Sequence, residues 1–225
     1  PICSGDITWL EIIEKMCDKK KPILLATGAS SMNEVCKAVD TVLAKTEDII
    51  LMQCNTNYTA SLENFKYINL NVLKKYHEIY PDIVLGLSDH TPGHSTVLGA
   101  VALGAKAIEK HFTHNTKRDG PDHKFSMDPN SWREMVDRTR EMEASLGMPI
   151  KKVEDNEKET VILQRRAIRA KYNLQSGEKI NRKDIEVLRP CPNDALPPYE
   201  LENIIGRILM TNIKEGDCVH WKNLR

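Results

Sequence analysis

Four short, almost unbroken apolar runs, separated by segments of helical period, constrain the fold of this chain more than any other feature. They are Pro22-Ile-Leu-Leu-Ala-Thr27, Ile49-Ile-Leu-Met-Gln-Cys54, Ile83-Val-Leu-Gly-Leu-Ser-Asp-His90 and Ala107-Ile-Glu-Lys-His111. Strands exposed on one face alternate apolar and polar residues, whereas strands buried on both faces read as continuous apolar runs. Between the runs, Ser31-Met-Asn-Glu34 has capping-box spacing, and Val35, Ala38, Val39, Val42 and Leu43 follow at helical period. Ile68, Val72, Leu73 and Tyr76 predict a helix over residues 63–79, and small residues predict another over 96–105. Asp128-Pro129 opens a last helix carrying Trp132, Met135, Val136 and Met142. The alternation predicts an α/β fold on a parallel sheet. Pro1-Ile-Cys-Ser-Gly-Asp6 reads as the end of a fifth strand running into a turn.

An open doubly wound sheet and a (β/α)8 TIM-type barrel both fit this pattern. No Gly-x-Gly-x-x-Gly loop follows any strand, which weakens the nucleotide-binding open sheet. Polar residues able to do chemistry follow several different strands, as they do at the carboxyl-terminal face of a barrel. A closed barrel takes ~250 residues, so residues 1–146 are expected to form a partial catalytic barrel lacking its amino-terminal strands. Residues 147–165 are charged and read as a linker or a solvated helix. Over 166–225 the pattern changes. Asn173-Leu-Gln-Ser-Gly177 through Ile185 is echoed by Asn212-Ile-Lys-Glu-Gly216 through Leu224, 39 residues on. Two copies are too few for a solenoid and predict a small pseudo-symmetric β-rich module.

Two of the apolar runs end in histidine, His90 and His111. Side chains alternate along a strand, so Ser88 shares a face with His90, and Glu109 with His111, while Asp89 and Lys110 point the other way into packing contacts. If these strands are parallel neighbours, both imidazoles emerge at one carboxyl-terminal edge. A histidine after a strand is commonly a hydrogen-bonded structural residue, and two converging ones can also hold a divalent metal with open positions. Both readings stand at this point. The formal charge is zero, with 32 basic and 32 acidic residues, so nucleic acid is not an expected partner. Six cysteines without Cys-x-x-Cys spacing argue against a disulfide framework or structural zinc, and with no membrane span they lead to an expected cytoplasmic location.

Ser4-Gly-Asp6, Leu25-Ala-Thr-Gly28, Gly86-Leu-Ser-Asp-His-Thr91, Glu109-Lys-His-Phe-Thr113 and Gly120-Pro-Asp-His123, with Arg189-Pro190 in the tail, resemble the bacterial N-acetylneuraminate (sialic acid) synthase family. The tail resembles the antifreeze-like SAF (β-clip) domain of those enzymes. The resemblance implies condensation of phosphoenolpyruvate with N-acetylmannosamine to N-acetylneuraminate, releasing phosphate by C–O cleavage with Mn2+ or Mg2+. It makes His90 and His111 the metal ligands. Ser4 and Ser88, helped by Thr27, would bind phosphoenolpyruvate. Asp6, Tyr58 and Asp122 would face the amino sugar, with Glu109 and Asp122 as catalytic carboxylates. Arg189 would reach the partner's site in a homodimer. A legionaminic or pseudaminic acid synthase would use the same apparatus on a different hexosamine, and a metal-dependent pyruvate aldolase is the competing chemistry. The family's first strands bring further phosphoenolpyruvate contacts that these residues do not include, so the chain by itself is expected to be inactive.

Overall fold

A computed structural model describes residues 1–225 as two compact units, Pro1–Met148 and Pro149–Arg225. In the first unit β1 (Ile23–Ala26), β2 (Ile49–Cys54), β3 (Val84–Asp89) and β4 (Ala107–Lys110) form a parallel sheet in the order β1-β2-β3-β4. Ile2 forms a single bridge to Leu25, and Phe112 one to Met127, so the ladder is extended by one residue at each edge. The predicted fifth strand is thus a single bridged residue, and the sheet does not close on itself within this unit.

Helices α1 (Leu10–Cys17), α2 (Met32–Leu43), α3 (Val72–Ile79), α4 (Ser95–Ala102) and α5 (Pro129–Leu146) connect or follow the strands. The capping box before α2 is formed: Glu34 N donates to Ser31 Oγ while Ser31 N donates to Glu34 Oε2. Asp128 caps α5 in the same way through Ser131, with Pro129 in the first turn. The continuous helix expected over 63–79 is broken. Leu62–Tyr67 is a 3-10 helix, and the break precedes α3 at Asn69, whose φ of +50° no helix interior accommodates. Buried Asn64 explains the tighter turn, because its amide donates back to Asn57 Oδ1 and Thr59 Oγ1. Helix α1 is the one the periodic reading did not name.

Ile23, Leu25, Ile49, Leu51, Leu85 and Leu87 face the helices and pack with Val39, Leu73 and Ala100 in the main core. The alternate residues Leu24, Ala26, Ile50 and Ala107 are only partly buried, and Val84 is exposed. One face of the sheet is therefore covered by helices and the other is less covered within this unit, with Met52, Cys54 and Ser88 buried on it but its edge residues only partly so, although the strands have the composition of doubly buried ones.

The second unit contains α6 (Lys158–Gln164), the antiparallel pair β5 (Ala167–Ala170) and β6 (Ile185–Leu188), and α7 (Leu201–Ile204). Its sequence repeat is a structural pseudo-twofold. Leu174 N donates to Ile213 O and Ile213 N to Leu174 O, while Ser176 N donates to Asn212 Oδ1 and Glu215 N to Asn173 Oδ1. Each copy thus caps the turn of the other. Ile168, Leu174, Ile180, Leu209, Ile213 and Val219 fill the shared core. No helix of the chain is long and apolar enough to cross a membrane, and all six cysteines are free.

Candidate active site

Strand register builds this site. Ser88 pairs with Glu109 and Asp89 with Lys110 in the β3–β4 ladder, so His90 and His111 stand at matching positions one step further on. Their ring centroids are 5.1 Å apart. Ser88 Oγ donates to Glu109 Oε2 at 2.6 Å on the same face. His90 Nδ1 lies 2.8 Å from the carbonyl of Asn55. A carbonyl only accepts, so Nδ1 carries the proton and Nε2 keeps its lone pair. Burial holds the His90 pKa below the ordinary histidine range, the Asn55 bond opposes that, and His111 lowers it further. His90 is therefore a neutral imidazole near pH 7, the form that ligates metals.

Aromatic rings frame the pair. Tyr58 from the loop after β2 lies 4.3 Å from the His90 ring centroid, and Phe125 lies 4.9 Å from that of His111. Asp122 Oδ2 is 3.6 Å from His111 Nδ1. Beside Tyr58 lies a shallow, open depression of about 560 Å3 lined by Ala29, Asn55, Thr56, Asn57, Tyr58, Thr59 and Tyr67. Six of its seven lining residues carry an amide or hydroxyl group beside a comparable apolar surface, a mixture suited to a sugar ligand.

On the β1 side, Gly28 N donates to Ser4 Oγ at 2.8 Å. The Cys54 thiol lies between this serine and the histidines, 4.0 Å from His90 Nδ1. Burial pushes the thiol pKa up against hydrogen bonds from Ser4 and Ser88, so it stays protonated. Gly28 is required here by close approach. A Cβ on it would meet Thr56 Cγ2 at 2.4 Å and Ser4 Oγ at 2.8 Å.

The structure thus brings together Ser88, His90, Glu109, His111, Tyr58 and Asp122, with Ser4 adjoining through Cys54. Thr27 turns away from them: its hydroxyl donates to Met52 O and accepts from Tyr76 on the helix side of the sheet. Asp6 is exposed in a short 3-10 turn and has no side-chain hydrogen bond or ion pair to the cluster. Arg189 belongs to the second unit, where its Nε donates to Gln164 O. Cys54, the Asn55 carbonyl and Phe125 were not singled out from sequence. Cys54 had a legible signal, since it is the residue of β2 that shares a face with Met52 and pairs with Ser88.

No group of three or more His, Cys, Asp or Glu side chains is arranged to hold an ion. The side chains here that would ligate a divalent metal are the two imidazoles of His90 and His111, with substrate and water completing the shell.

Residues 1–151 match the NeuB family and residues 165–225 the SAF domain. The chain is 36% identical over 225 residues to an uncharacterized protein of Methanocaldococcus jannaschii, covering 99% of this chain and 65% of that protein. It is 34% identical over 228 residues to the N,N'-diacetyllegionaminic acid synthase of Legionella pneumophila, covering 99% of this chain and 62% of the enzyme. The crystal structure of an N-acetylneuraminic acid synthetase from Leptospira borgpetersenii, in complex with citrate, superposes with a TM-score of 0.64 at 29% identity. That likeness covers 71% of this chain and 55% of the other. The chain therefore spans less than two thirds of the length of the curated relatives it matches.

Proposed function

We propose, because this chain belongs to the NeuB family, that it carries the metal-binding and carbon–carbon bond-forming part of a sugar-acid synthase. The reaction is condensation of phosphoenolpyruvate with an N-acylated hexosamine, N-acetylmannosamine in the first reading, to a nine-carbon 2-keto acid and phosphate. The single observation that carries this reading is the registered cluster of Ser88, His90, Glu109 and His111 at one strand edge.

Nε2 of His90 and an imidazole nitrogen of His111 would hold Mn2+ or Mg2+, which when bound supplies Lewis acidity to an aldehyde oxygen. The chain's own groups do the rest. Ser4 Oγ and nearby backbone N–H groups supply hydrogen bonds to the phosphate and carboxylate of phosphoenolpyruvate, and Ser88 Oγ joins them when its proton turns from Glu109 to the ligand. Tyr58 and the shallow depression beside it orient the hexosamine. C3 of phosphoenolpyruvate forms a bond to the aldehyde carbon, and the aldehyde oxygen takes a proton. Water then adds at C2 and loses its proton. The C2–O bond breaks, and phosphate leaves with the bridging oxygen. Glu109, already accepting from Ser88, and Asp122, beside His111, are the carboxylates placed to move those protons.

The less covered face of the sheet, with Leu24 and Ile50 only partly buried and Val84 exposed, supports a further element: additional barrel structure covers it and completes the phosphoenolpyruvate site. In a homodimer, Arg189 would contact the sugar bound by the partner. Cytoplasmic location follows from the substrates proposed.

A second reading concerns the sugar. The relative from Legionella makes a diacetylated product, which favours a hexosamine bearing two acetamido groups. Incubating the full-length protein with phosphoenolpyruvate and each hexosamine, then weighing the products by mass spectrometry, decides between them. A keto acid heavier than one sugar by the three-carbon unit identifies the substrate. Condensation with pyruvate in place of phosphoenolpyruvate would instead establish an aldolase.

A further inference from the structure

Directly behind the histidine pair, on the helix side of the sheet, lies an ion pair that the reaction does not use. Lys110 Nζ is 2.6 Å from Asp89 Oδ2, and both side chains are fully buried. Buried ion pairs are poor sources of stability, since apolar residues of similar volume commonly do as well or better. The reason to keep this one lies in what it ties together.

Thr91 N and Thr91 Oγ1 donate to Asp89 Oδ1 at 3.0 and 2.9 Å. Thr96 Oγ1, in the first turn of α4, donates to Asp89 Oδ2 at 2.6 Å. Lys110 Nζ also donates to the Thr91 carbonyl at 2.7 Å. The network therefore joins the end of β3, the loop after it, the start of α4 and the end of β4. His90 lies between two of the tied residues, Asp89 and Thr91. His111 directly follows the third, Lys110. Because side chains alternate, fixing these neighbours on the helix side sets the direction of both imidazoles on the other.

We infer that the Asp89–Lys110 pair is a positioning element that fixes the spacing and aim of His90 and His111 for one divalent ion, without touching ion or substrate. This rests on the reading of the two histidines as metal ligands. Groups that orient metal ligands from behind typically change affinity about 10- to 100-fold when removed.

The test is calorimetric titration of Mn2+ into the full-length protein and into the double variant Asp89→Asn/Lys110→Met, with thermal unfolding followed in parallel. The double variant leaves no buried charge unpaired, so the fold is expected to survive while Mn2+ affinity falls about tenfold or more. A folded double variant that binds Mn2+ as the parent does overturns the inference. If that variant does not fold, Thr96→Val and Thr96→Ser decide. Weaker Mn2+ binding in the first, with parental binding in the second, supports positioning, and equal binding in both overturns it. His90→Ala and His111→Ala are titrated alongside. Parental Mn2+ affinity in those two would remove the metal-site reading itself, a result distinct from failure of the positioning role.

Discussion

His90 and His111 stand across two parallel strands at matching positions, one residue beyond the Asp89–Lys110 pair, with their rings 5.1 Å apart. A two-imidazole site has no protein ligand to spare. Replacing either histidine by alanine should weaken Mn2+ binding at least about tenfold, read by titration calorimetry. Retention of affinity in one variant would assign the ion to other donors.

If Ser88 binds phosphoenolpyruvate and Glu109 moves protons, variants of the two separate binding from proton transfer. Glu109→Gln keeps an acceptor for the Ser88 hydroxyl and removes the charge. It should lower kcat by about 10²- to 10⁴-fold with little change in KM for phosphoenolpyruvate. Ser88→Ala should act the other way, raising that KM while leaving most of kcat. Steady-state kinetics on both variants checks the split, and an unchanged kcat in Glu109→Gln removes the carboxylate from catalysis.

Gly28 lies where the backbone passes Thr56 and Ser4 too closely for a side chain. Gly28→Ala should destabilise the protein by about 1–3 kcal/mol, as overpacking does, and should raise KM for phosphoenolpyruvate by displacing Ser4. Denaturant unfolding and kinetics together test this. Parental values in both would show that the close approach at Gly28 does not hold Ser4 in place.

If Arg189 serves the partner's site, two inactive variants should complement each other. An equimolar mixture of His90→Ala and Arg189→Ala, exchanged through dissociation, should recover about a quarter of parental activity, because half the dimers contain one intact site. No recovery from exchanged dimers would place Arg189 in its own subunit's site or outside any.

Asp184 couples the second unit to acid. Burial pushes its pKa up, but hydrogen bonds from Tyr172 and Asn181 outweigh that and hold it below the ordinary value. A carboxylate with a lowered folded pKa adds stability that is fully present above its unfolded pKa of about 4 and is lost as pH falls through the folded value. Tyr172→Phe should therefore lower the unfolding midpoint at pH 7 and flatten its fall below about pH 4. A parallel shift at every pH would mean that the hydroxyl acts by packing alone.

Much of this could be read from the chain before any coordinates. The apolar runs located all four strands, and parallel pairing with a period of two then placed Ser88, His90, Glu109 and His111 on one face and Asp89 and Lys110 on the other. The 39-residue echo foretold the pseudo-twofold, because reciprocal turn capping needs the same asparagine in both copies. What escaped depended on side-chain contacts and backbone conformations that hydrophobic period does not encode. Thr27 follows a strand like the site residues do, yet its alternation sends it toward Tyr76. The break at Asn69 came from a left-handed backbone that hydrophobic period does not register. Phe125 is buried against His111 from an irregular loop, where no periodicity exists to read.

The central claim is metal-dependent condensation with C–O cleavage. Its most direct test uses phosphoenolpyruvate labelled with 18O at the bridging oxygen, incubated with the full-length protein and a hexosamine, with Mn2+ or with chelator. The account predicts release of 18O-labelled phosphate only when both hexosamine and metal are present, and none from His90→Ala. Label retained in the keto acid, or release indifferent to metal and to the histidine, would contradict it.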